Sequence, residues 1–154
     1  MAGSLRGGEW ALWTSMPAAD QRHSIAVAKR AVQGARSSRV PVDERDLVAA
    51  ALLHDVGKTG CALGTAGRVA ATVAAWLVGH RTVAGWSRRG GWRARAACFA
   101  DHQRIGAQLL REAGARPLAV AWAASHHRDL SDHCDGRLGV PPAVARLLAA
   151  ADGD

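Results

Sequence analysis

Seven histidine and aspartate residues recur along this chain of 154 residues in an order that suits metal binding. Neutral imidazole and carboxylate groups are ligands that Fe, Mn, Zn and Ni accept, and no thiolate is placed to favour a purely structural zinc site. The sequence therefore predicts a divalent metal cluster. The seven residues are His23, His54, Asp55, His102, His126, His127 and Asp152.

Helical periodicity brings these residues together. Leu47 and Ala50 share a predicted helix face with His54, and comparable apolar stripes lead to His126 and Asp152. A single buried histidine is more readily explained by a hydrogen bond to a backbone carbonyl, but several inward histidines with two aspartates favour a shared cation. The predicted helices run over residues 20–35, 43–56, 68–78, 101–112, 117–127 and 143–152.

The order of these residues resembles a known family. His23, the pair His54-Asp55 and Asp152 are similar to the H…HD…D signature of the HD phosphohydrolase superfamily. The string ALLHDVGK, residues 51–58, resembles the central motif of that family. With His102 and the later histidine pair, the pattern resembles the H…HD…H…HH…D set of the HD-GYP branch over roughly residues 20–152.

The resemblance implies a single HD-domain helical bundle and a hydrolytic mechanism. It implies a metal-dependent phosphohydrolase, a phosphatase or phosphodiesterase, that hydrolyses a phosphomonoester or phosphodiester of a nucleotide-like substrate with a metal-activated water. Asp55 and Lys58 would be catalytic, Lys58 by facing the phosphate. One ion would be held by His23, His54, Asp55 and Asp152, and a second by His102, His126 and His127, with Asp55 bridging the two.

The chain contains no tyrosine, so it lacks the Gly-Tyr-Pro loop that shapes a cyclic-dinucleotide pocket in the HD-GYP branch, and the resemblance does not fix the substrate. Two alternatives to a two-metal hydrolase also stay open. A single-metal enzyme would use only the first four ligands. A non-catalytic HD module would sense a nucleotide or scaffold a partner instead of catalysing hydrolysis.

Composition predicts an all-α fold of about six helices. Alanine is abundant, and strand-favouring aromatic residues are few, with one Phe and no Tyr. Residues 1–19 are expected to form a loose leader and residues 20–154 the HD domain. Three separated cysteines, Cys61, Cys98 and Cys134, predict neither a disulfide framework nor a cysteine zinc site. With no recognisable signal peptide, we expect a cytoplasmic protein.

Charge leaves the choice of partner open. The formal net charge is +7, which would attract anions, although an arginine-rich composition alone also produces it. The Arg/Trp segment, residues 81–95, is interpreted first as a solvated loop, then as a contact for substrate or nucleic acid, and last as a membrane contact. The expected partner is a small phosphorylated substrate, with a nucleotide or cyclic dinucleotide as candidates. Nucleic acid is not expected, and membrane-surface contact is not favoured. His80 and His133 are expected to be surface or loop residues.

Overall fold

The chain folds as a bundle of helices. The computed structural model describes residues 2–153, and within that range it contains nine α-helices and no strand, which confirms the all-α class. Met1 of the predicted leader and Asp154 of the predicted HD domain lie outside the described residues. The division of the chain into a leader and an HD domain stays a prediction. The helices are α1 (Gly7–Ser15), α2 (Ala18–Ser38), α3 (Glu44–Leu53), α4 (Thr65–Val78), α5 (His80–Ala84), α6 (Gly91–Ala100), α7 (His102–Glu112), α8 (Pro117–Ser125) and α9 (Pro142–Asp152).

All six helices predicted from the sequence are present, as α2, α3, α4, α7, α8 and α9, with shifted ends. The ends differ from the predicted ones by at most three residues, and α3 ends at Leu53 and not at Val56. The chain then turns through His54 and Asp55 into a short 3₁₀ helix, Val56–Cys61. This early ending matters for the site, because it lifts the two polar residues out of the helix into a tight turn.

Helix α1 replaces the loose leader that we expected. The Glu9 carboxylate is fully buried, accepts hydrogen bonds from the backbone N–H groups of Arg6 and Arg116, and pairs with the Arg116 guanidinium. The same guanidinium contacts Asp46 of α3 at 3.0 Å. The leader prediction was wrong because the partner of Glu9 is 107 residues away, a contact that local sequence patterns do not reveal.

Helix α3 lies at the centre of the main core. Its residues from Leu47 to Leu53 are all buried, and it packs between α2 and α8. The Asp43 carboxylate accepts hydrogen bonds from the backbone N–H groups of Arg45 and Asp46 and fixes the helix start. Alanine-rich faces let these helices approach closely, so the end of α3 is held firmly at the centre of the bundle.

A smaller core forms where α4, α5 and α6 pack together around Ala71, Ala75, Val83 and Ala96. Helices α5 and α6 were not predicted, since glycines interrupt the helical pattern of the Arg/Trp segment. The 3₁₀ helix Gly85–Arg89 joins them.

A disulfide ties this unit to the turn after α3. It joins Cys61, at the end of the 3₁₀ helix Val56–Cys61, to Cys98 of α6, with the two Cα atoms 5.3 Å apart. The sequence predicted no disulfide framework, and it did not reveal this single bond because spacing along the chain could not show that these two segments meet. The expected cytoplasmic location rested partly on that prediction, and it stays a prediction.

No single helix in the described range is long and apolar enough to cross a bilayer. One helix pair bent by 93°, Glu44–Cys61 with Ala66–Val78, satisfies length and composition alone, and its first half includes the buried helix α3.

Candidate metal centre

The His54-Asp55 pair occupies the turn that follows α3. Both side chains are buried, and Asp55 has φ −99° and ψ 7°, outside regular helix geometry. This turn aims the two side chains toward the same interior space. The end of the most buried helix of the bundle therefore presents an imidazole and a carboxylate to four other helices, α2, α7, α8 and α9.

His23 of α2 and Asp152 of α9 meet this pair from one side. The Nε2 atom of His23 lies 2.9 Å from Oδ1 of Asp152, and Nε2 of His54 lies 3.5 Å from the same oxygen. Ligand atoms of His23, His54 and Asp55 all lie within 4.8 Å of one another. These four side chains form the first group of the cluster.

Three histidines approach Asp55 from the other side. The Oδ1 atom of Asp55 is 3.7 Å from Nε2 of His102, at the start of α7, and 3.5 Å from Nε2 of His126, just after α8. Ligand atoms of Asp55, His102, His126 and His127 lie within 4.8 Å of one another. Asp55 thus turns Oδ1 toward this second group, while its Oδ2 lies 3.4 Å from His54 of the first.

Backbone carbonyls orient three of the rings in the same way. The Nδ1 atoms of His54, His102 and His126 each lie at 2.7–3.2 Å from the carbonyl oxygen of the residue three positions earlier. When Nδ1 donates to that carbonyl, the neutral ring presents the Nε2 lone pair to the cluster. Sequence reasoning missed this device, although each carbonyl belongs to the helix turn that precedes the histidine.

The inward atoms of the cluster fit a divalent cation. Nε2 of His54, His102 and His126 and Oδ1 of Asp55 are buried and have no hydrogen-bond partner among the described residues. Each such atom costs about 1–3 kcal/mol if nothing compensates. Four unpartnered donor atoms that converge within a few ångströms are the arrangement that a bound cation stabilises, and imidazole with carboxylate suits Fe, Mn, Zn or Ni.

Protonation in the cluster is set by burial and by the close charges. Burial works to raise the pKa of Asp55, but the His126 and His54 rings and the Lys58 ammonium hold that pKa far below its usual value. Burial, followed by the charge of Lys58, lowers the pKa of His102 to about 3, so this ring is neutral at pH 7. Burial also lowers the pKa of His54, but Asp55 and Asp152 outweigh it and raise that pKa.

A cavity of about 640 Å³ opens beside the second group. Lys58 stands at its edge, with Nζ 2.6 Å from Oδ2 of Asp55. The wall combines polar and apolar side chains from the turn after α3 and from four helices. The residues that line it are Lys58, Ala71, Thr72, Ala75, His80, Phe99, Ala100, His102, Gln103 and His127.

Three further polar residues lie near the site. His80 is exposed, as the sequence predicted, and it also lines the cavity. His133, also expected at the surface, is buried against Trp122. Asp20, one helical turn before His23, accepts two hydrogen bonds from Arg68 of α4 at 2.7 and 2.8 Å, which ties α4 to α2.

Comparison with known proteins supports the family resemblance over part of the chain. The family model described as HD domain matches residues 21–63, a range that includes His23, His54, Asp55 and Lys58. No curated protein and no solved structure matches the chain. The matched range ends before α4. Evidence that the later histidines and Asp152 belong to the cluster therefore comes from the structure and not from the family match.

Proposed function

We propose that the chain is an active hydrolase of the HD metal-dependent phosphohydrolase superfamily, a proposal that the HD domain match over residues 21–63 supports. Its proposed substrate is a phosphomonoester or phosphodiester of a nucleotide-like molecule. The proposed cofactor is a pair of divalent cations. All seven predicted ligands and Lys58 lie at one centre, and that convergence is the reason to prefer catalysis over a structural role.

The observation that carries the proposal is the set of four buried atoms without a partner. A core built only for stability would pair such atoms or replace them with apolar groups. Here Asp55 turns one oxygen to each group of the cluster, and three rings are held by their own helix carbonyls. The residues are therefore arranged for a ligand that accepts nitrogen and oxygen atoms together.

The proposed roles follow from position. His23, His54, Asp55 and Asp152 would hold one ion, and Asp55, His102, His126 and His127 would hold the other. Bound divalent cations supply an activated water at neutral pH and neutralise charge on a phosphoryl group. Lys58 holds Asp55 by its ammonium and adds a positive charge at the cavity edge, where an anionic phosphoryl group would be oriented.

The cavity supports a small phosphorylated substrate. A volume of about 640 Å³ falls within the usual range for small-molecule sites, which is roughly 300–1,000 Å³. Lys58, His80 and His127 line its polar part, and Ala71 and Phe99 line its apolar part. This combination suits a molecule with a phosphate at one end and an apolar or aromatic group at the other.

Elemental analysis of protein purified without chelator or oxygen, followed by a phosphoester screen, tests the proposal. We expect about two transition-metal ions per chain and metal-dependent release of phosphate or of a phosphomonoester product. Asp55→Ala should lose both ions and all hydrolysis. Asp101→Ala, which removes a partly exposed carboxylate that pairs with Arg104, is the control and should retain both.

The double change His126→Ala with His127→Ala separates two ions from one. It should lower the metal content by one ion per chain and remove most activity. Unchanged metal content would contradict the two-ion arrangement and favour a single-metal enzyme. Metal binding without hydrolysis of any phosphoester would favour the non-catalytic HD module, and no metal uptake would contradict the proposal itself.

A further inference from the structure

The excess of positive over negative charge lies in one segment of the chain. Residues 56–100 hold seven of the 20 Lys and Arg residues and none of the 13 Asp and Glu residues. The remaining 13 of each sign cancel, so the whole formal charge of +7 belongs to this segment. An arginine-rich composition would spread charge over the surface, whereas this distribution gives the α4–α6 unit a positive field of its own.

Helix α4 exposes an apolar face on the same unit. Val69, Val73, Trp76 and Leu77 follow the spacing of one helix face, and each is exposed, Trp76 by 82% and Leu77 by 68%. Of the eight large apolar side chains exposed in the described residues, five lie on α4. Such clustering marks a surface made for contact, because isolated apolar residues are ordinary but contiguous patches are not.

The other face of α4 forms the wall of the cavity. Ala71 and Ala75 lie nearly opposite the exposed face, are buried, and line the cavity beside the metal centre. One helix therefore separates the candidate site from the exposed apolar residues. Whatever covers that face lies next to the cavity.

Exposed arginines lie on the segment that follows α4, namely on α5 and α6, which pack against α4, and on the 3₁₀ helix that joins them. Arg81 is the second residue of α5, and Arg88 and Arg89 end the 3₁₀ helix. These three and Arg93 and Arg95 of α6 are exposed. None of the five has an ion pair with a carboxylate in the described part of the chain, so their charges are available to an external anion.

We propose that this region, the α4 surface, binds the face of an anionic phospholipid bilayer. We define the α4 surface as Val69, Val73, Trp76 and Leu77 together with Arg81, Arg88 and Arg89. Aliphatic and tryptophan side chains enter the boundary between headgroups and acyl chains, while arginines contact anionic headgroups. With 14 residues, α4 is about 21 Å long, shorter than the roughly 30 Å of a hydrocarbon core, so it lies along the interface.

Two other occupants fit these residues less well. A second copy of the chain would bring two sets of exposed arginines together, and like charges oppose that contact. Nucleic acid would engage the arginines and stack on tryptophan, but it offers nothing for the aliphatic side chains of Val69, Val73 and Leu77. An anionic bilayer matches both components at once.

Co-sedimentation with vesicles tests the proposal and does not depend on hydrolytic activity or on bound metal. The full chain should bind vesicles rich in phosphatidylglycerol, bind vesicles of phosphatidylcholine alone at least about tenfold more weakly, and lose binding as salt is raised. Brominated lipids should quench tryptophan fluorescence, and Trp76→Phe should reduce that quenching. Equal binding to both vesicle types, or binding to neither, would overturn the proposal.

Two double variants identify which side chains of the α4 surface contact the bilayer. Trp76→Ser with Leu77→Ser should weaken binding on the order of tenfold or more, and Arg88→Gln with Arg89→Gln on the order of tenfold. The controls are Trp10→Ser with Leu130→Ser, and Arg45→Gln with Arg146→Gln. They remove exposed side chains of the same types outside the segment and should change binding less than about twofold.

The same variants distinguish the alternatives. If the protein binds a single-stranded oligonucleotide through Arg88 and Arg89 while Trp76 and Leu77 are dispensable, the surface is for nucleic acid and the proposal fails. If sedimentation shows a dimer that Trp76→Ser with Leu77→Ser dissociates, and vesicles are not bound, the occupant is a second copy. Circular dichroism of each variant confirms that the fold is retained, since both apolar side chains are largely exposed.

Discussion

At the scale of single residues, Asp55 is the group on which the candidate site depends. Its carboxylate is the only one in the described residues that faces both histidine groups, one oxygen toward each. The surrounding imidazoles and the Lys58 ammonium outweigh the cost of burial and keep it ionised, since they hold its pKa far below the usual value. A ligand that is already deprotonated in the metal-free protein has no proton to lose when a cation binds.

Lys58 is predicted to act on rate rather than on metal content. Its ammonium contacts the Asp55 oxygen at 2.6 Å and lines the cavity, but an ammonium nitrogen has no lone pair to offer a metal ion. Lys58→Ala should therefore lower kcat on the order of 10²-fold, with metal per chain unchanged. Elemental analysis beside steady-state kinetics measures both quantities.

The chain has one other lysine, which provides the control. Lys29→Ala removes an exposed ammonium outside the cavity lining and should leave kcat unchanged. Loss of metal in Lys58→Ala would contradict an effect on rate alone and would make the lysine a structural support of Asp55.

At the scale of elements, sequence periodicity identified the helices that bring the clustered histidines and aspartates together, but not the turns that orient their side chains. The stripes on α3, α8 and α9 led correctly to His54, His126 and Asp152, because core packing repeats every turn of a helix. The early end of α3 at Leu53 was missed, since nothing in the local sequence stops a helix there. Contact of the next segment with α7 accounts for it.

Gly57 permits that contact between the 3₁₀ helix and α7, and its replacement tests whether the site needs the contact. A Cβ atom at this position would lie 1.9 Å from the carbonyl oxygen of His102 and 2.6 Å from the backbone nitrogen of Gly106. Gly57→Ala must push the 3₁₀ helix and α7 apart, which separates Asp55 from His102. We expect a loss of stability on the order of 3 kcal/mol and of at least one bound ion, measured by urea unfolding and elemental analysis.

Gly60 lies in the same 3₁₀ helix and supplies the control. A Cβ atom there meets nothing within 4 Å, so Gly60→Ala should change stability by less than about 1 kcal/mol. Equal stability and metal content for the two variants would show that the close approach of Gly57 to α7 is not required.

The Cys61–Cys98 disulfide is the second link between the turn and its neighbours. It closes a loop across 37 residues of sequence, for which chain entropy predicts a contribution of about 4 kcal/mol. Cys61→Ser with Cys98→Ser, or reduction of the native protein, should lower the free energy of unfolding by about 2–4 kcal/mol. Cys134→Ser, at the exposed free cysteine, is the control and should have no such effect. If reductant leaves the urea midpoint of the native protein unchanged, the two thiols are not joined in solution.

At the scale of the whole molecule, the part that sequence could not predict is long-range. Helix α1 is fixed by Glu9 and Arg116, and α5 and α6 by a small core that only their folded arrangement creates. The end of α9 illustrates the same point. Arg30 of α2 donates a hydrogen bond to the Ala151 carbonyl at 2.6 Å, a contact between residues 121 positions apart. That bond positions Asp152 before any cation arrives.

Metal should nevertheless stabilise the entire fold, because its ligands come from widely separated parts of the chain. His23 belongs to α2, Asp152 to α9, and the others follow α3 and α8 or begin α7. A cation that binds only the folded chain adds stability by mass action, about 2.7 kcal/mol at a free concentration 100 times Kd.

Chelation should therefore lower Tm by roughly 5–10 °C in a chain of this length. Differential scanning calorimetry with and without chelator measures the shift, and Asp55→Ala, which cannot bridge the two groups, should show none. An unchanged Tm in the native protein would mean that the buried nitrogen and oxygen atoms are stabilised without a cation, and the metal centre would have to be abandoned.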